Sequence, residues 1–571
     1  MPITRPLAPA VLVRGTRGAV VAPHHLATQA GLGILRAGGS AVDAAIATNA
    51  ALAVVAGYAC GLGGDAFWLV WQAREARLAA LNGSGRAPAA ADAAALRARG
   101  MRRLPRRSPL AVTVPGAVRS WADAHARFGR LSIERLLEPA IELAAEGFAA
   151  DEAFAGAVES SAARFDAELG AGAAGFHATY RPAGRPWRAG ERVRLPSLAG
   201  ALERLATAGL DDFYDGDLAA TQAAGLARAG SSITAADLAA HRSTWAEPIA
   251  LEYRDATVAT HPPNSSGVVA LEILNVLGRF EPPAQAAAGD DGRLRGDERP
   301  AGEGQLADPV LDARWLHLQI EAAKLALADR DAFLTDPDAR EVPVERLLDP
   351  AYGAELAARI DERRAAAPPA ATVPRGGGTV FLATVDADGM AVGLIESNYQ
   401  GFGSGVVDPA TGIAYQNRGA YFSLEPDHPN VLAPGKRTLH TLLPWMLFRA
   451  GRPWVVGGSM GGDAQPAICA ETVSRLVDGG LDVSSAVAAP RAFPEPPEHF
   501  EPPDRVTLEA RFGPALLAEL EGRGHRLRTT AAFDSALGHC HAIELVDGGP
   551  VEGGTIAAAT DSRSLGLPAA W

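Results

Sequence analysis

Three consecutive glycines, Gly376, Gly377 and Gly378, run straight into a threonine, Thr379, and then into an apolar stretch. The segment 376–405 reads GGGTVFLATVDADGMAVGLIESNYQGFGSG. Residues 380–385 are too short a run for a helix and read as a strand buried on both faces. Asp388 and Gly389 form a hairpin signal, so 390–397 reads as the returning strand. Upstream, 362–374 (ERRAAAPPAATVP) has no apolar periodicity and reads as an exposed loop. An exposed loop thus ends in glycines, and a buried strand begins at once with a hydroxyl residue.

That arrangement is suited to one chemistry in particular. A threonine hydroxyl is a weak nucleophile unless a base lies beside it, and a chain cut before Thr379 would supply its own base, the new α-amine. An α-amino group titrates near ~7.7–8.0, so much of it is unprotonated at neutral pH. Gly378 can adopt strained backbone angles that bring the hydroxyl onto the carbonyl it would attack. The local residues also fit a plain Gly-rich turn entering an ordinary strand.

Along the rest of the chain, 24–38 has helical spacing and ends at Gly38-Gly39, and Ser40 caps a second helix running to about Val55. GLGGDAFWLVW is a glycine turn entering a strand, followed by ARLAALNGSGRAP, a second strand and turn. No helix follows Gly61, Gly63 and Gly64, which argues against a phosphate loop. Residues 109–165 and 195–230 are helix-rich, and 249–260 reads as paired strands. Ser265 or Ser266 caps a helix, 282–304 is a Gly/Pro/charged insert read as a disordered surface loop, and 315–334 is a long helix. After Thr379, 438–448 and 454–458 are strand-like, 465–477 is a helix, 506–524 includes a helix, and 539–546 is a late strand. No repeat of 20–50 residues is visible.

A chain of 571 residues has room for several domains or one large one. Its formal net charge of −13 argues against nucleic acid or an anionic membrane as partner. Three scattered cysteines, Cys60, Cys469 and Cys540, make neither a disulfide framework nor a zinc site. The first residues carry no continuous apolar leader and no run is long enough to span a bilayer, so a cytoplasmic protein is expected.

The run GTVFLATVDADGMAV, followed by GFGSGVV, resembles the start of the small subunit in the γ-glutamyltranspeptidase family, whose members are N-terminal-nucleophile hydrolases that cut themselves before a threonine. The likeness extends over nearly the whole chain, through the opening helix–helix–GLGG–strand–strand order, PPNSSGVVALEILNVLGRF and ADRDAFLTDP. The resemblance implies an α+β fold, a four-layer αββα sandwich. It also implies cleavage between Gly378 and Thr379 into pieces 1–378 and 379–571 that form one intertwined domain. A processed heterodimer follows, with a dimer of heterodimers left open, and no metal or cofactor is implied. Many members of the family are exported, so the missing leader is a departure.

By the same resemblance Thr379 is the nucleophile, Ser397 is the hydroxyl that touches it, and Gly461 and Gly462 offer backbone N–H groups to an oxyanion hole. Two amides converge on one oxygen most easily where no Cβ intrudes. The residues that read glutamate in the family do not carry over. A strand-end asparagine is Tyr399 here, with Asn398 adjacent. The arginine for the glutamyl carboxylate aligns with Ser84, and Arg86 lies two residues on. The acid for the α-amine aligns with Tyr421, and the paired serines align with His440 and Thr441. A phenol cannot replace a carboxylate around an ammonium. Arg86 and Arg418 are the natural clamps for a substrate carboxylate, or else structural charges. The pattern is similar to members that act as cephalosporin acylases or oxamate amidohydrolases.

The expected function is therefore hydrolysis of a small-molecule amide, or acyl transfer from it, with a carboxylate-bearing acyl group other than a standard γ-glutamyl. Three alternatives stand beside it. One is a genuine glutathione hydrolase. Another is a serine hydrolase using Ser459 in Gly457-Gly458-Ser459-Met460-Gly461, with Asp504 and His525 as partners. The third is an unprocessed binding homologue.

Overall fold

The computed structural model describes residues 10–283, 312–367, 378–495 and 505–571. Gly376 and Gly377, most of the loop read at 362–374 and the insert read at 282–304 from residue 284 onward lie outside the described residues.

Alternating apolar side chains, with no polar face along the longest strands, require cover on both sides of a sheet. The chain meets that requirement with two stacked seven-stranded sheets. The first runs in spatial order Ala569–Ala570, Ala19–Val21, Gly378–Val385, Ala391–Tyr399, Asp65–Gln72, Arg77–Gly83 and Thr244–Ala246. The second runs Leu12–Gly15, Thr555–Thr560, Cys540–Val546, Arg452–Ser459, Trp445–Arg449, Ala256–Thr260 and Ile249–Tyr253. Between them Phe67, Leu69, Phe381 and Ile395 from one sheet pack with Met446, Val456, Ile543 and Ala558 from the other. The opposite faces of the sheets are each covered by helices. Trp68, Leu382 and Leu394 meet the helices Ala41–Val55, Ala117–Phe128 and Ile133–Ala145. Trp445, Leu447 and Ala542 meet Gly267–Leu277, Ala313–Phe333 and Gln465–Val477. This is the four-layer αββα sandwich, and strands from either side of residue 378 interleave within both sheets.

The strand at Thr379 is as the apolar run predicts: all eight residues of Gly378–Val385 and all nine of Ala391–Tyr399 are buried. The hairpin turns at Gly389, whose φ of 77° suits glycine. Helix Ala41–Val55 is buried on every side, so its start carries no amphipathic signal. It is set instead by a reciprocal cap in which Ser40 Oγ accepts from the Asp43 amide and Asp43 accepts from the Ser40 amide.

One expectation needs correction. Residues 438–444 do not join the ladder, and the strand begins only at Trp445. The turn at 264–266 takes their hydrogen bonds: Asn264 Nδ2 donates to the Thr438 carbonyl, Ser266 Oγ to that of His440 and Ser265 Oγ to that of Leu442. Of the two candidate caps, Ser266 stands at the N-cap without a side-chain cap bond, and Ser265 Oγ accepts from the Gly267 amide at 3.1 Å, at the first residue of the helix. Among the described residues no helix is long and apolar enough to cross a membrane.

Candidate active site around Thr379

Thr379 lies opposite Ser397 in the central pair of strands, and the register slips between Gly378 and Thr379. That slip leaves the Gly378 carbonyl beside the facing strand's hydroxyl. Thr379 Oγ1 donates to Ser397 Oγ at 3.0 Å, and Ser397 Oγ donates to the Gly378 carbonyl at 2.6 Å. One hydroxyl therefore touches both the candidate nucleophile and the carbonyl of the bond before it. The Tyr399 amide, at 2.7 Å, and Arg418 Nη2, at 3.3 Å, also donate to Ser397 Oγ, fixing its orientation. Tyr399 has a φ of 71°, strained for a residue with a Cβ, at the point where the strand leaves the sheet. A Cβ on Gly378 would come within about 3.0 Å of the backbone at Gln400 and Gly401, so only glycine fits there without displacement.

Arg418 sits on a short 3-10 turn, Arg418–Tyr421, and is almost completely buried. Its guanidinium lies 4.6 Å from the Tyr399 ring and 5.3 Å from the Tyr421 ring, and Nη1 donates to Thr441 Oγ1 at 3.1 Å. Nε has no partner, and no carboxylate lies within salt-bridge distance of the group among the described residues. Burial pulls its pKa below the ordinary arginine value, although neighbouring acidic groups oppose this. A guanidinium starts so high that it stays charged.

The acids whose charge reaches Arg418 are Asp65 and Asp463. Asp65 accepts from the Gly85 amide at 2.8 Å and pairs with His440 Nε2 at 3.2 Å. Burial lifts the Asp65 carboxyl to about 7 and holds the His440 imidazole well below its usual range, so that ring is neutral. Asp463 accepts from Tyr421 Oη at 2.9 Å and from Arg330 Nη1 at 2.7 Å. It directly follows Gly462 in the turn between Arg452–Ser459 and Gln465–Val477. Gly461 and Gly462 have φ values of 155° and 57°, and neither amide finds a hydrogen-bond acceptor among the described residues.

The structure gathers Thr379, Ser397, Arg418, Tyr421 and Thr441 into one connected network. Arg86, Ser84, Asn398, His440 and Ser459 make their bonds outside it. Arg86 is turned to Asp338 at 2.7 Å and Asp336 at 3.3 Å, where it braces the turn at Gly435. Ser84 is buried in a network with Asn82 and Asn264. Asn398, one residue out of phase with Ser397, projects toward Gly57, Gly61 and Gly64, on the other face of the sheet. His440 is a satisfied core histidine, packed on Phe67 and bonded to Asp65. Ser459 Oγ donates to the carbonyl of Met460, while His525 pairs with His317. Asp504 lies outside the described residues. No elbow stands at Ser459, because the αββα layers replace the alternating β–α order an α/β-hydrolase requires.

Sequence reading overlooked Asp65, Arg330, Asp463 and Arg107. Asp65 ends the GLGGD turn and could have been noticed as a charge entering a buried strand. Arg107 donates to the carbonyls of Gly401 and Gly403 and so anchors the loop after Tyr399, but nothing local to it marks that role.

The sequence profile described as Gamma-glutamyltranspeptidase matches residues 27–571. The chain is 39% identical to the oxamate amidohydrolase proenzyme of Klebsiella pneumoniae subsp. pneumoniae, over 97% of this chain and 99% of that one. It is 36% identical to the glutathione hydrolase-like YwrD proenzyme of Bacillus subtilis, over 95% and 97%. A solved cephalosporin acylase from Bacillus halodurans superposes with a TM-score of 0.88 at 36% identity, covering 100% of this chain and 99% of that one. With a matching profile over nearly its full length and the same fold as a solved relative, this chain belongs to the γ-glutamyltranspeptidase family.

Proposed function

We propose that the chain is a self-processing amide hydrolase in which Thr379 is first the agent of its own release and then the catalytic nucleophile. The hydrogen-bond chain Thr379 Oγ1–Ser397 Oγ–Gly378 carbonyl carries this reading. In processing, Oγ1 attacks the Gly378 carbonyl carbon. The Ser397 hydroxyl donates to the oxygen on which negative charge develops, and the Thr379 nitrogen leaves with a proton, giving an ester. Water cleaves the ester to a Gly378 carboxylate and a free threonine. The new α-amine then serves as base for attack on a substrate amide. The Gly461 and Gly462 amides are the oxyanion donors for that second reaction. The pieces are 1–378 and 379–571.

Arg418 supports a carboxylate-bearing acyl group. It is a buried cation beside the nucleophile's hydrogen-bond partner with no acid of its own, and a carboxylate meets a guanidinium bidentately. The two nearby acids are already bonded elsewhere, which leaves no evident seat for the α-ammonium of a glutamyl group. The names of the oxamate amidohydrolase and cephalosporin acylase relatives fit the same reading. Thr379→Ala should give one intact, inactive band on a denaturing gel, and wild type two bands, the smaller beginning TVFLATVD. Cleavage of the alanine variant would sink the proposal. In wild type, kcat/KM should favour oxamate- or glutaryl-type amides over γ-glutamyl amides by ten- to a hundredfold, the worth of about 1.5–3 kcal/mol of charge-assisted contact.

A further inference from the structure

On the far helical layer, away from Thr379, His317 and Glu321 occupy adjacent turns of the helix Ala313–Phe333, and His525 faces them from the turn after the helix Pro514–Gly522. One ligand atom from each residue lies within 4.8 Å of the other two, and all three residues are buried. His317 Nδ1 and His525 Nε2 are 2.8 Å apart. From these positions we propose that His317, Glu321 and His525 form a binding site for one divalent transition-metal ion of the zinc type, joining the segment before Thr379 to the segment after it.

The surroundings fit that use. His317 Nε2 lies 2.8 Å from the Asp361 carbonyl, an oxygen that can only accept. The ring proton therefore sits on Nε2, and Nδ1 presents its lone pair to His525. A carbonyl on the second nitrogen of a ligating histidine is the usual means of fixing ring and tautomer. Glu321 Oε1 accepts from Lys324 Nζ at 2.6 Å and Oε2 from the Ala366 amide at 3.1 Å. Those bonds use two of about four acceptor positions on the carboxylate and leave an oxygen lone pair for a metal. Two imidazoles with one carboxylate select zinc-like ions over magnesium or calcium, which take oxygen ligands. The Lys324 ammonium opposes a cation and points to moderate affinity. Three protein ligands leave a fourth position for water. Glu321, Lys324 and His317 also bind the backbone of 361–366, the segment leading toward the proposed cut. The ion would thus tie that segment to both sides of the chain.

The test uses full-length purified protein stripped with chelator, dialysed, and titrated with Zn²⁺ alone, and separately with Co²⁺ to read ligand-field absorption. One Zn²⁺ per chain, a tetrahedral-type Co²⁺ spectrum and a rise in thermal midpoint with Zn²⁺ are expected. His525→Gln, in the turn after the helix Pro514–Gly522, should lose binding, spectrum and midpoint rise together, and His317→Ala should do the same. Magnesium should produce no such rise. Absence of stoichiometric binding to wild type would overturn the proposal. So would binding that survives unchanged in a folded His525→Gln protein, with circular dichroism as the check on folding.

Discussion

At the scale of single residues, the site rests on atoms that a change of one group would displace. A Cβ on Gly461 would meet Ile468 Cδ1 at 2.7 Å, and Gly462 has a φ of 57°, in the left-handed region. Gly462→Ala is expected to lower kcat by about 10²–10³, the usual consequence of losing an oxyanion donor, with KM little changed. Ser459→Ala, by comparison, should leave turnover near wild type in the same steady-state assay, since its hydroxyl is bonded to the neighbouring carbonyl. Much of this was legible in the letters. The glycines before Thr379 and the apolar run after it marked a turn entering a buried strand, while the roles expected of Thr379 and Ser397 came from the family resemblance. Arg330 and Asp463 were not legible, because they are 133 positions apart and meet only through packing of the helix Ala313–Phe333 against the turn after Gly462. His440 illustrates the converse: a residue aligned with substrate-binding positions proves to be paired with Asp65 inside the core.

At the scale of elements, the two central strands carry more than the proposed nucleophile. Glu396, next to Ser397 but on the opposite face, is fully buried and accepts from Asn49 Nδ2 at 2.6 Å and the Gly61 amide at 2.8 Å. Burial raises its carboxyl from 4.5 to about 8, and that of Asp65 from 3.8 to about 7. A raised carboxyl pKa means that the folded chain holds protons the unfolded chain has lost. These two groups therefore stabilise the fold fully only below about pH 4, and that contribution falls as pH rises toward 8. Unfolding by urea at pH 5 and pH 8, measured on the uncut Thr379→Ala chain, should show a smaller loss of stability with pH in a Glu396→Gln background. An equal loss in both would assign the pH dependence elsewhere. Elements with a clear period or cap, such as the helix Gln465–Val477 and the hairpin at Gly389, were readable from sequence. The segment 438–444 was misread because its apolar residues look like a strand, whereas its hydrogen bonds go to side chains of a distant turn.

At the scale of the whole molecule, the layer order came from family resemblance, since short apolar runs cannot say which strands are neighbours. The central sheet places Gly378–Val385 between Ala19–Val21 and Ala391–Tyr399, and Asp65–Gln72 beyond them. Pieces 1–378 and 379–571 would therefore share both sheets and the core between them. They should co-elute on size exclusion after processing and separate only in denaturant; elution of either piece alone from native protein would contradict the interleaving.

The register slip beside Thr379 has a consequence for the life of the protein. Ser397 reaches the Gly378 carbonyl only when the hairpin, the strand Asp65–Gln72 and the loop held by Arg107 are all in place. In the processing reaction proposed above, a chain that has not completed its sheet has no means of cutting itself, and without the cut it has no free amine and no activity. Catalytic competence then becomes a certificate of correct assembly, issued once per molecule and never to a misfolded one.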